Sequence, residues 1–295
     1  MRKIALFLVL AVGLGACSAA TARPAFHAAG GSATSSGSEF VPPAHAFIPQ
    51  DPARLARALA RTTYALRSSI ERWTTRGDPS SGKPPLDVRL QALYQQRIYR
   101  ELARHDALAR RTIAALPSWA RGEATANVTA GRDIYSLVGP VRHRVRVRVR
   151  LPKPAGVLEG FDAEGQQRFS VSWTVLAAIN YVESKFGRVV SASSAGAQGP
   201  MQFIPSTWSA YGMGGNVHDD HDAILGAANY LHASGAPGNY RNAVYNYNHA
   251  WAYVNAVLIY ARRMQADPRA YFEHYNWQVF VHTKNGDVRL TGPGT

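Results

Sequence analysis

An apolar helical run with one carboxylate near its end most constrains this 295-residue chain. The carboxylate is Glu183, within the segment from Tyr181 to Gly187. Three apolar residues share its predicted helical face at spacings of three and four, and these are Leu176, Ile179 and Phe186. A helical glutamate is usually solvated, but on an apolar face it is either a costly buried charge or a proton donor with a raised pKa. The pattern makes Glu183 a candidate catalytic residue.

A loop rich in small residues follows this helix at residues 193–208. Glycine in such a loop lets a ligand approach the backbone closely. Gln202 offers both a hydrogen-bond donor and an acceptor. Met201, Phe203 and Trp208 supply apolar surfaces that can pack the wall of a cleft or hold the face of a sugar. Loops of this composition are common, so its position after the carboxylate is what makes it a candidate substrate loop.

Four segments carry a family resemblance, in this order: Glu183-Ser184-x-Phe186-Gly187, residues 194–203, residues 222–231, and Tyr247-Asn248-His249 followed by Tyr253-Val254. Together they make residues from about 158 to 264 resemble the catalytic domain of the lytic murein transglycosylases, in the branch of membrane-bound lytic transglycosylase B. The resemblance implies a small α-helical, lysozyme-like domain. The expected fold class is therefore mainly α, with a basic helical region ahead of this domain and a small β element.

The resemblance also implies roles for individual residues. Glu183 falls on the position of the sole catalytic acid and base. The implied glycan-binding positions are Ser193, Gln202, Phe203, Tyr230, Tyr247 and Asn248. A well-known member of the family carries a calcium loop, but residues 218–222 lack the glycine and the distal glutamate of such a loop. Asp220 is predicted to be the N-cap of the next helix, and neither a metal nor a cofactor is expected.

The implied chemistry needs one carboxylate where ordinary glycosidases use two. Glu183 would protonate the glycosidic oxygen, and the same residue would then take the proton from the 6-hydroxyl of the muramyl sugar, which gives a 1,6-anhydroMurNAc end. Two alternatives stay open. One is a muramidase that hydrolyses the same bond, with Asp219, Asp220 and Asp222 as candidates for a second carboxylate. The other is a non-catalytic wall-binding protein on this fold.

The N-terminus has the pattern of a secretory signal. Two basic residues precede an apolar stretch at residues 4–14, which is too short to span a bilayer. The sequence Leu14-Gly15-Ala16-Cys17 then resembles a lipobox, so Cys17 is a candidate lipidation site. The alternative is an ordinary signal that is cut after residues 20–22. Both predict an exported protein, either a lipoprotein facing the cell wall or a secreted one.

The predicted domains are a signal peptide at 1–17, a flexible tether rich in Ala, Ser, Gly and Pro at 18–50, a basic helical region at 51–152, the catalytic domain at 153–270 and a hairpin tail at 271–295. The net charge of +14 is uneven. Residues 1–157 hold 24 Lys and Arg against 9 Asp and Glu, whereas the rest holds 9 against 10. The basic half predicts an anionic partner, either a wall polymer or a membrane surface. No nucleic acid is expected as a partner of an exported protein, and peptidoglycan strands are the expected substrate.

Helix signals mark the basic region. Asp51 is predicted as an N-cap with Pro52 as the first helical residue. Helical spacing then continues through Leu55, Leu59, Thr62, Leu66, Ile70 and Trp73. A second, less regular helix is predicted through Leu86, Leu90, Leu93, Leu102 and Leu108, and a third over about 121 to 138.

Two β features complete the pattern. Residues 141–151 alternate arginine with apolar residues, which predicts a strand that is either an anion-binding ribbon or a charged edge strand. Residues 277–282 and 287–290 flank Lys284-Asn285-Gly286, a hairpin signal, and we expect this hairpin to pair with the arginine strand. His249 could tune Glu183 or contact glycan, although a structural role is commoner for such a histidine.

Overall fold

The computed structural model describes residues 40–138 and 147–295. Within these ranges the chain forms eleven α-helices and one β-hairpin, which confirms the mainly α fold class. In chain order the elements are α1 (Pro52–Arg76), α2 (Leu86–Arg104), α3 (Asp106–Ala115), α4 (Ser118–Leu137), α5 (Ala155–Phe169), α6 (Trp173–Ser184), α7 (Pro205–Tyr211), α8 (Asp220–Ala233), α9 (Tyr240–Tyr247), α10 (Trp251–Ala266), α11 (Arg269–Tyr275), β1 (Phe280–Thr283) and β2 (Gly286–Arg289).

Helix α1 begins as its sequence predicts. The carboxylate of Asp51 accepts the N–H of Arg54 at 2.8 Å, and Pro52 is the first helical residue. All six residues of the predicted apolar spacing in α1 are buried. The predicted second helix is two helices, because the backbone leaves helical geometry at His105, so Leu108 belongs to α3. The predicted third helix corresponds to α4, which starts earlier, directly after Pro117.

One apolar core joins the N-terminal and C-terminal helices. Its buried residues run from Leu55 in α1 to Trp277 after α11. Helix α10 packs against both α4 and α6, and α11 packs against α1. The basic helical region therefore forms part of the body that holds Glu183. The predicted domain limits stay predictions.

The C-terminal hairpin forms as a two-stranded antiparallel sheet, in which Val281 lies opposite Val288. Its two-residue connection is Lys284-Asn285, one position before the predicted Asn-Gly pair. Gly286 begins β2 with a φ of 103°, a conformation that favours glycine.

The arginine strand does not pair with this hairpin in the part that can be described, residues 147–151, so the predicted pairing is wrong there. Val149 instead forms an isolated antiparallel bridge with Val189. The reason lies in Arg150, whose guanidinium donates to the Gly187 carbonyl at 2.9 Å and to the Asp220 carboxylate at 2.7 Å. These contacts fix the strand end between α6 and α8. Residues 139–146, which hold most of the predicted strand, lie outside the described ranges.

Of the helices in residues 40–138 and 147–295, none combines the length and the hydrophobicity needed to cross a bilayer. The predicted signal sequence, Cys17 and most of the tether fall in residues 1–39, which lie outside the described part of the chain.

Candidate active site

Helix α6 carries Glu183 through the centre of the fold. From Thr174 to Ser184 every residue of the helix is buried, because α5, α8, α10 and α11 all pack around it. The helix ends at Ser184, and both Lys185 and Phe186 have positive φ values, of 56° and 59°. Phe186 is fully buried but lies beyond the helix, so the prediction that it shares a helical face with Glu183 is wrong.

Glu183 is a buried carboxyl group with one hydroxyl partner. Its side chain belongs to a residue that is 6% exposed, and its Oε1 accepts the phenolic O–H of Tyr253 at 2.6 Å. Burial raises the pKa of Glu183 to about 7, although the Tyr253 hydrogen bond and the Lys185 ammonium oppose this rise. Both protonation states of Glu183 are therefore populated near neutral pH. A general acid that must also act as a base needs this property.

The next residue, Ser184, connects the candidate substrate loop to the end of α6. Its hydroxyl donates to the carbonyl of Pro200 at 2.6 Å and accepts the N–H of Gly187 at 2.7 Å. The turn after α6 and the loop at residues 193–208 are thus held together beside Glu183.

Ser193 stabilises the loop from within. Its Oγ accepts the backbone N–H groups of Ala195 and Ala197, at 3.2 and 3.0 Å. The backbone of Ser193 also donates to the carbonyl of Ala197 at 2.9 Å. The hydroxyl predicted to hold glycan is thus engaged with its own loop, where it fixes the shape of the surface that a ligand would meet.

Gln202 lies in a tight backbone turn. The bridge between Gln198 and Phe203 closes this turn, and Gln202 has a φ of 52°. Its Nε2 donates to the Gly199 carbonyl at 2.8 Å. Its buried Oε1 has no hydrogen-bond partner within the described part of the chain, so this oxygen is an acceptor available to a ligand.

An aromatic cluster gathers three of the predicted glycan positions. Tyr247 lies 5.9 Å from Phe203 and 5.6 Å from Tyr230, measured between ring centroids. Trp208 and Tyr211 extend the cluster at 5.1 Å from Phe203 and 4.7 Å from Tyr230. The charge of Glu183 contributes to raising the pKa of Tyr247, after burial, which shows that the cluster adjoins the acid.

The sixth predicted glycan position, Asn248, ends helix α9. It is buried, and its backbone N–H donates to the carbonyl of Val244 at 3.0 Å. Tyr247, the residue before it, donates its hydroxyl to the carbonyl of Met201 at 2.7 Å. This contact joins α9 to the substrate loop.

Glu183 also lines a cavity of about 190 Å³. The walls come from α2, α4, α6, α10, the hairpin and the chain around Val189. None of the six predicted glycan positions lines it. Sequence reasoning missed this cavity, because its walls combine residues that lie far apart in the chain.

The three aspartates weighed as a second carboxylate are all engaged. Asp219 caps α8 by accepting the N–H groups of His221 and Asp222, so the prediction of Asp220 as the N-cap is wrong by one residue. Asp220 is buried against Arg150. Asp222 accepts the N–H of Asn216 at 2.8 Å.

A possible metal-ligand set overlaps these aspartates. Ligand atoms of Asp219, His221 and Asp222 lie within 4.8 Å of one another. The carboxylates serve the helix start, however, and His221 Nε2 lies 2.9 Å from Glu164 Oε2. These contacts account for the arrangement without a cation.

Two further residues acquire roles that the sequence did not assign. Tyr253, in the fourth motif of the resemblance, donates its hydroxyl to Glu183. Lys185, at the variable position of the first motif, lowers the pKa of Glu183 through its charge. His249 is exposed, and its ring lies 5.2 Å from that of Tyr245. This surface contact agrees with a structural role for His249.

Residues 162–266 match the family model of the transglycosylase SLT domain. The match extends from α5 to the end of α10 and contains Glu183 and all six predicted glycan positions. Neither the search of curated proteins nor the search of solved structures found a match. This segment is therefore an SLT domain, lysozyme-like in fold, from a family that comprises lytic transglycosylases acting on peptidoglycan. The resemblance to lytic transglycosylases is confirmed, while the membrane-bound B branch stays a prediction.

Proposed function

We propose that the protein cleaves the MurNAc-β-1,4-GlcNAc bond of peptidoglycan and leaves a 1,6-anhydroMurNAc end. Glu183 acts first as general acid and then as general base. The observation that carries this proposal is the buried Glu183 carboxyl, whose pKa is raised to about 7 and whose Oε1 accepts the hydroxyl of Tyr253. Such a group can both give and take a proton near neutral pH.

The reaction keeps its proton balance within one carboxyl group. Glu183 donates its proton to the glycosidic oxygen, which leaves with the bonding electron pair. The muramyl acetamido group stabilises the positive charge that develops at the anomeric carbon. The ionised Glu183 then takes the proton of the 6-hydroxyl, whose oxygen bonds to that carbon, and the acid is restored. The Tyr253 hydroxyl favours the ionised form, because it donates to Glu183.

The surroundings of Glu183 support transglycosylation over hydrolysis by water. Hydrolysis normally requires a second carboxylate that activates water or attacks the sugar. The three candidates near the start of α8 are a helix cap, an ion-pair partner of Arg150 and an acceptor for a loop N–H. Each of the three carboxylates is thus engaged in a structural contact.

The glycan would lie along the substrate loop and the aromatic cluster. The unpartnered Oε1 of Gln202 suits a sugar hydroxyl or an acetamido N–H. Tyr230 and Tyr247 are half-buried, so part of each ring remains available to a sugar face.

The test is a digest of purified peptidoglycan, analysed by mass spectrometry, with Glu183→Gln as the comparison. Anhydro-muropeptides that disappear with the variant are the expected result. Products that have gained water and carry a reducing end would identify a muramidase instead. Wall binding by both proteins with no products from either would identify a non-catalytic wall-binding protein.

We also propose that the protein is exported and anchored through Cys17, on the basis of the lipobox-like sequence. Metabolic labelling with a fatty-acid analogue should mark the wild type and not Cys17→Ser. Label in neither protein, with both recovered from the medium, would indicate an ordinary signal peptide.

The basic half would hold the anchored enzyme against an anionic wall polymer or membrane surface. Co-sedimentation with anionic wall material and with anionic vesicles, at low and high salt, separates the two partners. Binding to neither at low salt would remove this proposal.

A further inference from the structure

The cavity beside Glu183 is built largely from outside the SLT domain. Arg100 comes from α2, Asn127 and Tyr135 from α4, and Val281 from β1, and all of them lie beyond residues 162–266. At about 190 Å³ the cavity is smaller than the roughly 300–1,000 Å³ pockets that hold a drug-sized ligand. The cavity can therefore hold a short side group of a substrate, but not several linked sugar rings.

Two cavity residues have buried polar atoms without a protein partner. Asn127 is 2% exposed, and its Nδ2 donates to Glu273 at 3.4 Å, but its Oδ1 has no partner among the residues described. The hydroxyl of Tyr135 is also buried, and it too has no hydrogen-bond partner among the residues described. Burial raises the pKa of Tyr135 to about 12, so the group remains a donor at neutral pH. A buried polar group without a partner destabilises the fold, and a ligand that bonds to the group would remove that cost.

Lys185 adds an ammonium group that has no carboxylate within ion-pair distance in the described part of the chain, although the charge of Glu183 favours its protonated form. Its Nζ donates to the Tyr181 carbonyl at 3.0 Å and lies 4.2 Å from the centroid of the Tyr181 ring. The other basic side chains that line the cavity are already engaged, because Arg100 and His282 both contact Asp287. Burial, followed by the charge of Arg100, lowers the pKa of Lys185 to about 7. A carboxylate bound beside Lys185 would favour its charged form.

The rest of the cavity wall is mostly apolar. Its aliphatic residues are Ala103, Ile134, Val138, Val147, Val182, Val189, Val279 and Val281, and its aromatic residues are Tyr99, Tyr181, Tyr260, Trp277 and Phe280. The polar atoms of Tyr99 and Trp277 already bond to Glu123 and Gln95. A sugar ring displays hydroxyls around its whole edge, and this wall would leave most of them unpaired. Short aliphatic side chains fit such a surface, whereas the isolated polar atoms of Asn127 and Tyr135 suit amide groups.

We infer that this cavity binds the peptide that peptidoglycan carries on its muramyl residues. Asn127 Oδ1 accepts a peptide N–H, the Tyr135 hydroxyl donates to a peptide carbonyl, and Lys185 pairs with a peptide carboxylate. The aliphatic wall receives alanyl methyl groups. This inference rests on the proposed function, because it assigns the peptide to this cavity and the glycan to the substrate loop.

The kinetic test compares peptide-bearing glycan strands with the same strands after an amidase has removed the peptides. The measured quantity is the ratio of kcat/KM for the two substrates. We expect the wild type to prefer peptide-bearing strands by tenfold or more, and Tyr135→Phe to lower that ratio by at least threefold. Tyr135→Phe removes only an oxygen that has no partner in the described structure, so the fold should survive. Tyr64→Phe, at a ring that is 69% exposed, is the matched control and should keep the wild-type ratio.

A binding measurement separates this inference from the proposed reaction. Calorimetry with Glu183→Gln would use a disaccharide that carries a tripeptide, and the same disaccharide without the peptide. Tighter binding of the tripeptide form, weakened by Tyr135→Phe, is the expected result. Equal binding of the two compounds, or equal kcat/KM on the two strand types, would overturn the inference and leave the proposed function intact. Loss of turnover on both strand types with peptide-dependent binding retained would overturn the proposed function alone.

Discussion

Two buried glutamates of this protein lie in contrasting settings. Glu183 is held by one tyrosine hydroxyl and lines a cavity. Glu273 belongs to a cluster with Glu123 and Arg263, in which Arg263 lies 3.3 Å from Glu123 and 3.7 Å from Glu273. Burial raises the pKa of both Glu183 and Glu273, and the charge of Glu123 adds to the rise at Glu273.

The difference shows that a raised pKa does not by itself identify a catalytic acid. Glu273 shares a fixed network in which Arg263 compensates two carboxylates, and Arg67 pairs with Glu123 at 2.5 Å. Losing or gaining a proton there disturbs a buried ion cluster between α4, α10 and α11. In the described part of the chain Glu183 belongs to no such network, and the charge of Lys185 acts on it without a direct ion pair, so its proton can move without breaking an ion pair.

The largest expected effect separates the two glutamates by activity. Glu183→Gln should lower kcat by about 10²–10⁴-fold, because the proton donor is lost while the shape is kept. Glu273→Gln should leave kcat within about threefold. Release of anhydro-muropeptides over time measures both. A comparable loss of kcat in the two variants would contradict the conclusion that only Glu183 acts in the reaction.

The second prediction concerns stability. Arg263→Met should destabilise the fold by about 3 kcal/mol, because removing one partner leaves buried carboxylates uncompensated. Urea unfolding at pH 7.5 measures the change. The control is Arg262→Met, since the neighbouring Arg262 is exposed and its loss should be nearly neutral. Equal effects of the two substitutions would show that the cluster is not the source of stability.

The third prediction is a pH dependence of stability due to Glu183. Its pKa rises from 4.5 to about 7 on folding, so between these values the folded state holds a proton that the unfolded chain has lost. Stability from this group is therefore complete below pH 4.5 and falls as pH rises to about 7, by about 3 kcal/mol at most. Unfolding across this range should show the fall in the wild type relative to Glu183→Gln. A constant difference between the two proteins would contradict the raised pKa.

The smallest effect tests the single partner of Glu183. Tyr253→Phe removes a hydrogen bond that favours the carboxylate, so the pKa of Glu183 should rise further, by about half to one unit. Because the general acid must start protonated, the alkaline limb of the pH–kcat profile should move to higher pH. Tyr245→Phe, on α9 and outside this contact, should leave the limb in place. A shift to lower pH in Tyr253→Phe would show that Tyr253 does not stabilise the ionised form.

Local patterns predicted the parts of the fold that depend on short segments. The spacing in α1, its Asp51 cap and the hairpin signal depend on neighbouring residues. All three features appear in the structure, the hairpin with its connection one residue before the predicted Asn-Gly pair. Single-residue boundaries were harder. Three aspartates near the start of α8 can each cap a helix, and Asp219 rather than Asp220 does so. Helix α6 ends before Phe186 because the left-handed backbone begins at Lys185. A sequence pattern would place this turn at Gly187, two residues later.

The candidate site was predictable only where motifs carry it. The sequence singled out Glu183, and the aromatic cluster brings together Phe203, Tyr230 and Tyr247. Their roles toward glycan stay predictions. The contribution of Asn127 and Tyr135 depends on how α4 packs against α10, a long-range arrangement that no local period encodes.

The core shared by α4, α6 and α10 also bears on how this protein can change during evolution. The limits of the SLT match, residues 162–266, are not the limits of a folding unit, because α10 lies inside the match while α4 lies outside it. A substitution in α4 therefore affects the packing of α10, which in turn contacts the helix that carries Glu183. A replacement of residues 162–266 would have to keep the surface by which α10 packs against α4.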